Sequence, residues 1–365
     1  MFVYKYYQTN KLKSIINDEF LAEGLLSEPI NYNGGQYLVP PQNIFDAGYS
    51  TPTVDNPKFI SVVQADSDLG DEQEGIDVEV NGKHRFYSYQ ILDRHEVVRD
   101  NFEGIDLTIT HCVFCKSSSV YQTDYKLKDS GKVYENNKLL EDEETGSLWS
   151  QILGVAIAGE KAGETISKYP YQVMTWREWK GLYPDGEVMS FETGYDYDYT
   201  SHPFGNYDKA SVFYFPNLNY KNFEYGEKDY ITGYALADDY LMVSDSIMSL
   251  IKVWNGEVGG KSVVVFYDQD KKKSYLYLAE SLDYDLIFRY DKENDQFIDE
   301  TTNSVWTADG MAISGPLEGT YLTKVDGDKM FAGCWASIHP STQEATAATD
   351  IINKAENAEQ SENEN

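Results

Sequence analysis

An internal repeat is the feature of this 365-residue chain that most constrains its fold. Identical residues recur after a shift of 156 positions, and chance would not hold that register over so many glycine, tryptophan and proline residues. The matching pairs are Ser88 and Ser244, Ile91 and Ile247, Val97 and Val253, Gly104 and Gly260, Gly154 and Gly310, Trp179 and Trp335, and Pro184 and Pro340, with Trp149 and Trp306 one position out of register. We therefore predict two tandem copies of one folding unit, residues 74–185 and 230–341, related by a pseudo-symmetry. The recurring tryptophans are expected to pack in the core.

Each copy is predicted to be rich in strands. In the first copy, Asn81-Gly82 separates two strand-like runs and is typical of a β-hairpin turn, because both residues tolerate positive φ. Ile91 and His95 then follow helical spacing, and the run from Ile105 alternates apolar and polar residues as a half-buried strand does. The predicted fold class is α+β, strand-dominated, with two tandem similar repeats.

The remaining segments differ in composition from the two copies. Residues 186–229 form a connection rich in tyrosine and aspartate, and their aromatic content predicts packing rather than a flexible linker. Residues 1–73 have few periodic segments and are predicted to be an irregular N-terminal arm. Residues 342–365 are rich in alanine, glutamate and asparagine and are predicted to be a disordered acidic tail.

The charge of the chain excludes some classes of partner. The 61 acidic residues outnumber the 30 basic residues and give a formal net charge of −31. A surface of this sign repels phosphate backbones, so we expect no nucleic-acid partner. No apolar run approaches the ~18 residues of a membrane-spanning helix, so we expect no membrane span. The first residues contain no apolar run of the signal-peptide kind, so the expected location is the cytoplasm.

A Cys-x-x-Cys motif at Cys112 and Cys115 is the leading candidate for a functional site. Alignment of the two copies places it opposite Asp268 and Lys271, on the turn of a predicted hairpin. On a tight turn both sulfurs can face one metal ion, whereas on a strand they would point to opposite faces. No helix follows the motif, which disfavours a thioredoxin-like site. The motif therefore favours zinc, or copper, which thiolate and imidazole ligands also suit. The third cysteine, Cys334, is expected to be a small buried residue.

Two histidines are candidate ligands beside the cysteines. His95 corresponds to the aliphatic Ile251 of the second copy, which places it on an internal face. A buried imidazole there is either a hydrogen-bonded core histidine or a metal ligand. Because His95, Cys112 and Cys115 all lie in the first copy and have no counterparts in the second, we give these two interpretations equal weight. His111 directly precedes the cysteine motif and is either a fourth ligand or a polar-tipped core residue.

Three functions stay open on these residues. The leading hypothesis is a metal-binding protein whose zinc or copper ion is held by Cys112, Cys115 and His95, with His111 as the candidate fourth ligand. The first alternative is a non-enzymatic module that binds a glycan or a protein through the aromatic connection 186–229. The second alternative is a thiol–disulfide site at Cys112 and Cys115. The sequence contains no motif of a known catalytic class, so no reaction and no particular small-molecule or protein partner is assigned.

The motifs also resemble those of a known family, in order, over about residues 50–343. Residues 110–117 (THCVFCKS) are similar to its signature Thr-Tyr-Cys-Pro-Leu-Cys-Gly-Ser, and residues 93–96 (DRHE) to its Asn-Trp-His-Glu. Other segments that fit are residues 144–151, 175–179, 183–185, 202–207 and 314–317. The family is domain of unknown function 3179; the resemblance implies no activity, and it implies an exported protein as the alternative to a cytoplasmic one. The chain departs from the signature at His111, Val113, Phe114 and Lys116, where the family has Tyr, Pro, Leu and Gly.

Overall fold

The computed structural model describes residues 25–218, 220, 223–281 and 284–350. The chain divides into two compact units, Met1–Asn219 and Tyr220–Asn365. Each unit is built mainly from short, mostly antiparallel strands, with helices of one or two turns. This composition confirms the predicted strand-dominated α+β class.

The first unit has three α-helices, two short 3-10 helices (Pro41–Asn43 and Tyr207–Lys209) and strands β1 to β17 in its described part. The helices are α1 (Val62–Ala65), α2 (Tyr89–His95) and α3 (Trp176–Leu182). The strands are β1 (Ile30–Tyr32), β2 (Gly35–Tyr37), β3 (Phe45–Asp46), β4 (Val54–Asp55), β5 (Phe59–Ser61), β6 (Glu74–Val80), β7 (Lys83–Ser88), β8 (Val97–Phe102), β9 (Ile105–Cys112), β10 (Ser117–Gln122), β11 (Leu127–Tyr134), β12 (Asn137–Asp142), β13 (Leu148–Ser150), β14 (Ala156–Ala158), β15 (Ser167–Lys168), β16 (Gln172–Thr175) and β17 (Glu187–Met189).

These strands form three sheets. Sheet A has the order β1-β2-β14-β13-β12-β11-β3, sheet B the order β15-β10-β9-β8-β4, and sheet C the order β16-β6-β7-β17-β5. The β4–β8 and β7–β17 pairs are parallel and the others are antiparallel. The β6–β7 hairpin turns at Asn81 and Gly82, whose φ angles of 53° and 78° are those expected of this dipeptide.

Helix α2 connects sheet C to sheet B and ends abruptly. Its first turn is capped by Ser88, whose hydroxyl accepts the N–H of Gln90 at 3.1 Å. Its apolar face buries Ile91 and Leu92. Glu96 ends the helix in the left-handed region, with φ of 55°, and directs the chain into β8. This reversal leaves the side chains of the last helical residue and of Glu96 inside the protein.

The second unit has two helices and strands β18 to β31 in its described part. The helices are α4 (Asp245–Ile251) and α5 (Ala332–Ile338). The strands are β18 (Tyr230–Leu236), β19 (Asp239–Val243), β20 (Val253–Val258), β21 (Lys261–Asp268), β22 (Lys273–Leu278), β23 (Glu280–Ser281), β24 (Tyr284–Asp285), β25 (Phe288–Asp291), β26 (Gln296–Asp299), β27 (Val305–Trp306), β28 (Ala312–Ser314), β29 (Lys324–Val325), β30 (Asp328–Phe331) and β31 (Gln343–Glu344). The sheet orders are β30-β18-β19-β31, β20-β21-β22-β29, β25-β26-β27-β28 and β23-β24.

Some predicted segments extend past the described residues. Residues 1–24 of the predicted N-terminal arm lie outside the described part of the chain, while residues 30–61 contribute β1 to β5. Residues 351–365 of the predicted tail also lie outside it. None of the helices in the described ranges has the length and apolar character that crossing a membrane requires.

The recurring tryptophans Trp149 and Trp306 are each fully buried and hydrogen-bonded to an aspartate. The indole Nε1 of Trp149 donates a hydrogen bond to Asp142 Oδ2 at 3.1 Å. The indole Nε1 of Trp306 donates to Asp299 Oδ2 at 2.9 Å. Both indoles are inaccessible to solvent, as expected for core residues.

We predict that Trp149→Ala lowers the free energy of unfolding by about 3–5 kcal/mol, the usual cost of truncating a packed large aromatic side chain. Urea unfolding followed by intrinsic fluorescence measures this loss. The matched control is Val63→Ala, because the Val63 side chain is exposed and its truncation should change stability by about 0.5 kcal/mol or less. Equal stability of the two variants would contradict the prediction.

Candidate functional site

The Cys-x-x-Cys motif lies at the β9–β10 hairpin, where the alignment of the two copies predicted a turn. β9 ends at Cys112, which is paired with Ser117, the first residue of β10. The residues between them form the turn, and Lys116 has a φ of 49°, in the left-handed region. Glycine adopts that region most readily. The family signature has a glycine at this position, and Lys116 adopts here the backbone conformation that such a glycine favours.

Aromatic side chains cover this turn. Phe114, at its centre, packs against Tyr49, Phe204 and Tyr207, with ring centroids 6.1, 5.2 and 5.7 Å away. The Tyr207 hydroxyl also donates to the Phe114 carbonyl oxygen at 3.0 Å. Phe204 and Tyr207 belong to the connection 186–229, so part of that connection shields the cysteine turn from solvent.

The three cysteines differ in chemical state. Cys112 is a free thiol, whereas Cys115 and Cys334 are disulfide-bonded. All three are fully buried. The sequence correctly placed Cys334 among buried residues but gave no sign of its oxidation.

The predicted zinc or copper site is wrong. Within residues 25–218, 220, 223–281 and 284–350, no group of three or more His, Cys, Asp or Glu side chains is placed to hold a metal ion. The sulfur of Cys115 is bonded to another sulfur and so cannot act as a metal thiolate. Both ring nitrogens of His95 and of His111 have other partners. Of the four expected ligands, Cys112 is a free thiol, but its sulfur also has hydrogen-bond partners.

His95 is a hydrogen-bonded core histidine. Its Nδ1 lies 2.9 Å from the carbonyl oxygen of Pro52, and its Nε2 lies 2.7 Å from the hydroxyl of Tyr199. A carbonyl oxygen only accepts, so Nδ1 carries the hydrogen in the neutral ring and Nε2 accepts from Tyr199. Burial lowers the pKa of His95, which keeps the ring neutral.

His111 lies between an acidic residue and a serine. Its Nε2 is 3.2 Å from Asp93 Oδ1, and its Nδ1 is 3.1 Å from Ser118 Oγ. The Ser118 hydroxyl donates to the hydroxyl of Tyr89 at 3.1 Å, and the Tyr89 and His111 rings lie 4.3 Å apart. His111 therefore belongs to a polar network on the α2 side of the hairpin.

The sulfur of Cys112 has backbone partners. It accepts the N–H of Lys138 at 3.2 Å and the N–H of Cys115. Its own S–H donates to the carbonyl oxygen of Asn136 at 3.6 Å. Burial, reinforced by the charge of Glu96, raises the pKa of the Cys112 thiol to about 12. Cys112 is therefore a protonated thiol held against the amide of an oxidised cysteine.

A buried group of charges lies beside this thiol. We call Glu96, Asp129 and Lys138 the charge cluster; the side chain of each is about 1% exposed. The Lys138 ammonium nitrogen is 3.1 Å from Glu96 Oε2 and 3.0 Å from Asp129 Oδ2. It also lies over the Tyr49 ring, 4.2 Å from the centroid, a cation–π contact.

The two carboxylates of the charge cluster are not equally stabilised. Asp129 also accepts the N–H of Thr51 at 2.7 Å and the N–H of Gly131 at 2.9 Å. Among the described residues, Lys138 is the only cation paired with Glu96, which also has Asp129 and Tyr49 as side-chain neighbours, and one ammonium cannot neutralise two carboxylates. Burial, reinforced by the charge of Asp129, raises the pKa of Glu96 to about 8 despite the opposing effect of Lys138.

Local backbone features direct these side chains inward. The left-handed turn after α2 places Glu96 inside, and its carbonyl oxygen accepts the N–H of His111 at 2.9 Å. Asp129 lies at a bulge in the β11–β12 ladder, a device that re-aims side chains. The buried amide of Gln151 connects sheet A to the hairpin, since it donates to Thr110 Oγ1 at 3.0 Å and accepts from Ser117 Oγ at 2.9 Å.

Sequence reasoning missed the whole charge cluster. Glu96 carried a signal, because it is the last residue of the segment 93–96 that resembles a family motif. Asp129 and Lys138 carried none, because both lie in strands without a motif, and lysine is rarely buried. Only the fold brings the three residues together.

Comparison with known proteins gives one match. The family described as "Protein of unknown function (DUF3179)" matches residues 50–342, which is most of the chain. No curated protein and no solved structure matches it.

We predict that Glu96 makes stability depend on pH. The folded-state pKa of about 8 lies above the ordinary value of 4.5, so between these values the folded protein holds a proton that the unfolded chain has lost. The stability that this proton contributes is therefore lost as the pH rises through that window. The free energy of unfolding of the wild type should fall relative to that of Glu96→Gln by up to roughly 5 kcal/mol across it, since one pKa unit is about 1.4 kcal/mol. Urea unfolding of both proteins at either end of the window measures the difference; a difference that does not change with pH would contradict the prediction.

Proposed function

The chain belongs to the DUF3179 family, and we propose that it carries out thiol–disulfide exchange at Cys112 and Cys115. The observation that carries this proposal is the position of the free Cys112 sulfur, which accepts the backbone N–H of disulfide-bonded Cys115. A free thiol and an oxidised cysteine thus share one tight turn. Exchange requires a thiolate to attack a disulfide sulfur, and the turn supplies both participants.

The proposed step is an exchange without net oxidation. The thiolate of Cys112 attacks the sulfur of Cys115, and a Cys112–Cys115 bond forms as the existing disulfide bond of Cys115 breaks. The displaced sulfur leaves as a thiolate and takes up a proton. One disulfide and one thiol are present before and after the step, so it needs no external oxidant.

The charge cluster supplies the proton acceptor. A thiol with a pKa of about 12 contains almost no thiolate at neutral pH, so attack by Cys112 needs a base inside the protein. Glu96, with a pKa of about 8, is the carboxylate whose charge acts on Cys112. Only the ionised fraction of Glu96 can accept this proton, and that fraction grows as the pH approaches 8. Transfer of the proton from sulfur to the Glu96 carboxylate keeps the total charge of the buried group constant. The N–H of Lys138 then stabilises the thiolate that forms.

A binding function of the connection 186–229 is the second candidate. The observation that favours it is an exposed pair of tyrosine rings, Tyr195 and Tyr197, which stack at 6.1 Å with 15° between their planes. Each is 40% or more exposed. Stacked aromatic faces at the surface suit a ligand with apolar faces, a glycan or a protein among them.

The tandem arrangement is part of the proposal. We propose that residues 74–185 and 230–341 are two copies related by a pseudo-symmetry, with the segments 1–73, 186–229 and 342–365 outside them. The indole–aspartate bond present in each unit supports this arrangement. So do Glu96 and Lys252, which occupy left-handed positions directly after α2 and α4.

We also propose an extracytoplasmic location in place of the cytoplasmic one expected from the sequence. The disulfide-bonded state of Cys115 and Cys334 supports it, because disulfides persist in oxidising compartments and are rare in the cytosol.

We predict that a Cys112–Cys115 disulfide accumulates when the purified protein is incubated with a mixture of reduced and oxidised glutathione. Acid quenching, alkylation and peptide mapping would detect this disulfide. Cys112→Ser should not form it. Glu96→Gln should form the new disulfide at least about tenfold more slowly, because general-base catalysis typically contributes about a hundredfold or more.

Asp77→Asn is the matched control for the loss of a buried carboxylate. Asp77 is buried in sheet C and accepts the indole N–H of Trp179, and no contact in the described residues joins it to Cys112. Its substitution should leave the exchange rate within about twofold of wild type. Absence of the Cys112–Cys115 disulfide in wild-type protein, under conditions that reduce and reform the native disulfide, would overturn the proposal.

A further inference from the structure

A cavity of about 310 Å³ lies in the first unit, on the side of the hairpin where His111 meets α2. Its walls come from α2, from β9 and the cysteine turn, from residues 72–74, and from residues 199–202 and 208 of the connection 186–229. We propose that this cavity binds a small neutral sugar. Its volume lies at the lower end of the range for small-molecule sites, which suits a ligand the size of one sugar ring.

The charges of the wall exclude an anionic ligand. Four lining residues are carboxylates, Glu72, Glu74, Asp93 and Asp208, whereas Lys116 is the one lining lysine or arginine. A phosphate or carboxylate ligand would meet an excess of negative charge at short range.

A cationic ligand is also disfavoured, because three of the four carboxylates already have close partners, while Asp208 lies 3.7 Å from the Nε2 of His202. Glu74 pairs with Lys116 at 3.0 Å, and Asp93 pairs with His111 at 3.2 Å. Glu72 pairs with Arg177 at 2.8 Å. A cation would have to displace these groups, whereas a neutral ligand leaves each pair intact.

Two buried atoms of the lining residues lack a hydrogen-bond partner among the described residues. They are Oε1 of Gln90 and Nε2 of His202, and the latter lies 3.7 Å from Asp208 Oδ1, too far for a hydrogen bond. The Nδ1 of His202 accepts the N–H of Phe204 at 3.1 Å, so in the neutral ring the hydrogen is on Nε2. The lining therefore holds one unused acceptor and one unused donor. Hydroxyl groups both donate and accept, and a sugar ring presents several of them side by side.

The lining also contains aromatic surface. Tyr89 and Tyr199 line the cavity, and both are almost fully buried. Tyr89 packs against the ring of His111 and Tyr199 stacks on Phe191, so each tyrosine has at most one ring face left to attract the C–H groups of a sugar ring. The mixture of aromatic faces with a few polar groups is typical of small-molecule sites.

The wall formed by the connection is fixed in place. Arg94 of α2 donates from Nη2 to the carbonyl oxygen of Ser201 at 2.8 Å and to its hydroxyl at 3.1 Å. Asp198 accepts the N–H of Thr200 at 2.9 Å and the hydroxyl of Ser201 at 2.8 Å. Because these bonds order the wall before a ligand arrives, binding loses little conformational entropy.

The test compares neutral, cationic and anionic probes that all contain the same kind of sugar ring. Saturation-transfer NMR is recorded on the full-length protein with glucose, galactose and mannose as neutral probes. Each neutral sugar that binds is then compared with its protonated 2-amino derivative and its 6-phosphate. We expect a saturable response from at least one neutral sugar, no tighter binding of the amino sugar, and at least about tenfold weaker binding of the phosphate. No saturable response from any neutral sugar, or tighter binding of either charged derivative, would overturn the proposal.

Substitutions of two lining residues test whether the sugar binds in the cavity. Gln90→Leu and His202→Phe keep side-chain size and remove the unused acceptor and donor, so each should weaken binding about tenfold or more. Gln122→Leu, at the exposed end of β10, is the control and should bind as the wild type does. Circular dichroism and thermal unfolding check that each variant is folded. Unchanged binding by both cavity variants would place the sugar elsewhere and refute the proposal.

The sugar site is independent of the proposed exchange reaction. Cys112 does not line the cavity. Cys112→Ser should therefore lose exchange and keep sugar binding, so failure of one proposal is distinguishable from failure of the other.

Discussion

A single buried ammonium facing two carboxylates is the interaction on which the cysteine site depends. Lys138 can neutralise either Glu96 or Asp129 but not both, and all three side chains are withdrawn from water. Because backbone N–H groups further stabilise the Asp129 carboxylate, the proton goes to Glu96. A protonatable group with a pKa near neutrality therefore lies beside the buried thiol of Cys112. Burial of unbalanced charge usually destabilises a fold, so its presence points to a function.

The fold arranges this chemistry by joining three local devices. Glu96, directly after α2, adopts the left-handed conformation, which turns its own side chain inward. The bulge in β11 turns Asp129 inward, and the tight β9–β10 turn sets Cys115 against Cys112. Aromatic residues of the connection 186–229 then close over the turn. The same connection forms one wall of the cavity at His111, so one segment takes part in both proposed sites.

Local features were predictable from the sequence, and contacts between distant residues were not. The Asn81-Gly82 turn, the helical spacing in α2 and the cysteine turn each depend on a few neighbouring residues, and each was predicted. The metal hypothesis failed because spacing alone cannot report the oxidation state of Cys115 or the partners of His95. The charge cluster was invisible because its residues come from β11, β12 and the end of α2, far apart in the chain. Nothing local distinguishes a lysine that will be buried from one that will be solvated.

The most direct test of this interpretation is the titration of Glu96 itself. The side-chain carboxyl signal of ¹³C-labelled glutamate, assigned by its absence in Glu96→Gln, can be followed by NMR as the pH is raised. If Lys138 leaves Glu96 without a sufficient counter-charge, the signal should titrate with a midpoint of about 8. A midpoint near the ordinary value of 4.5 would mean that Glu96 is an ionised partner of Lys138 and too weak a base to take the proton of Cys112.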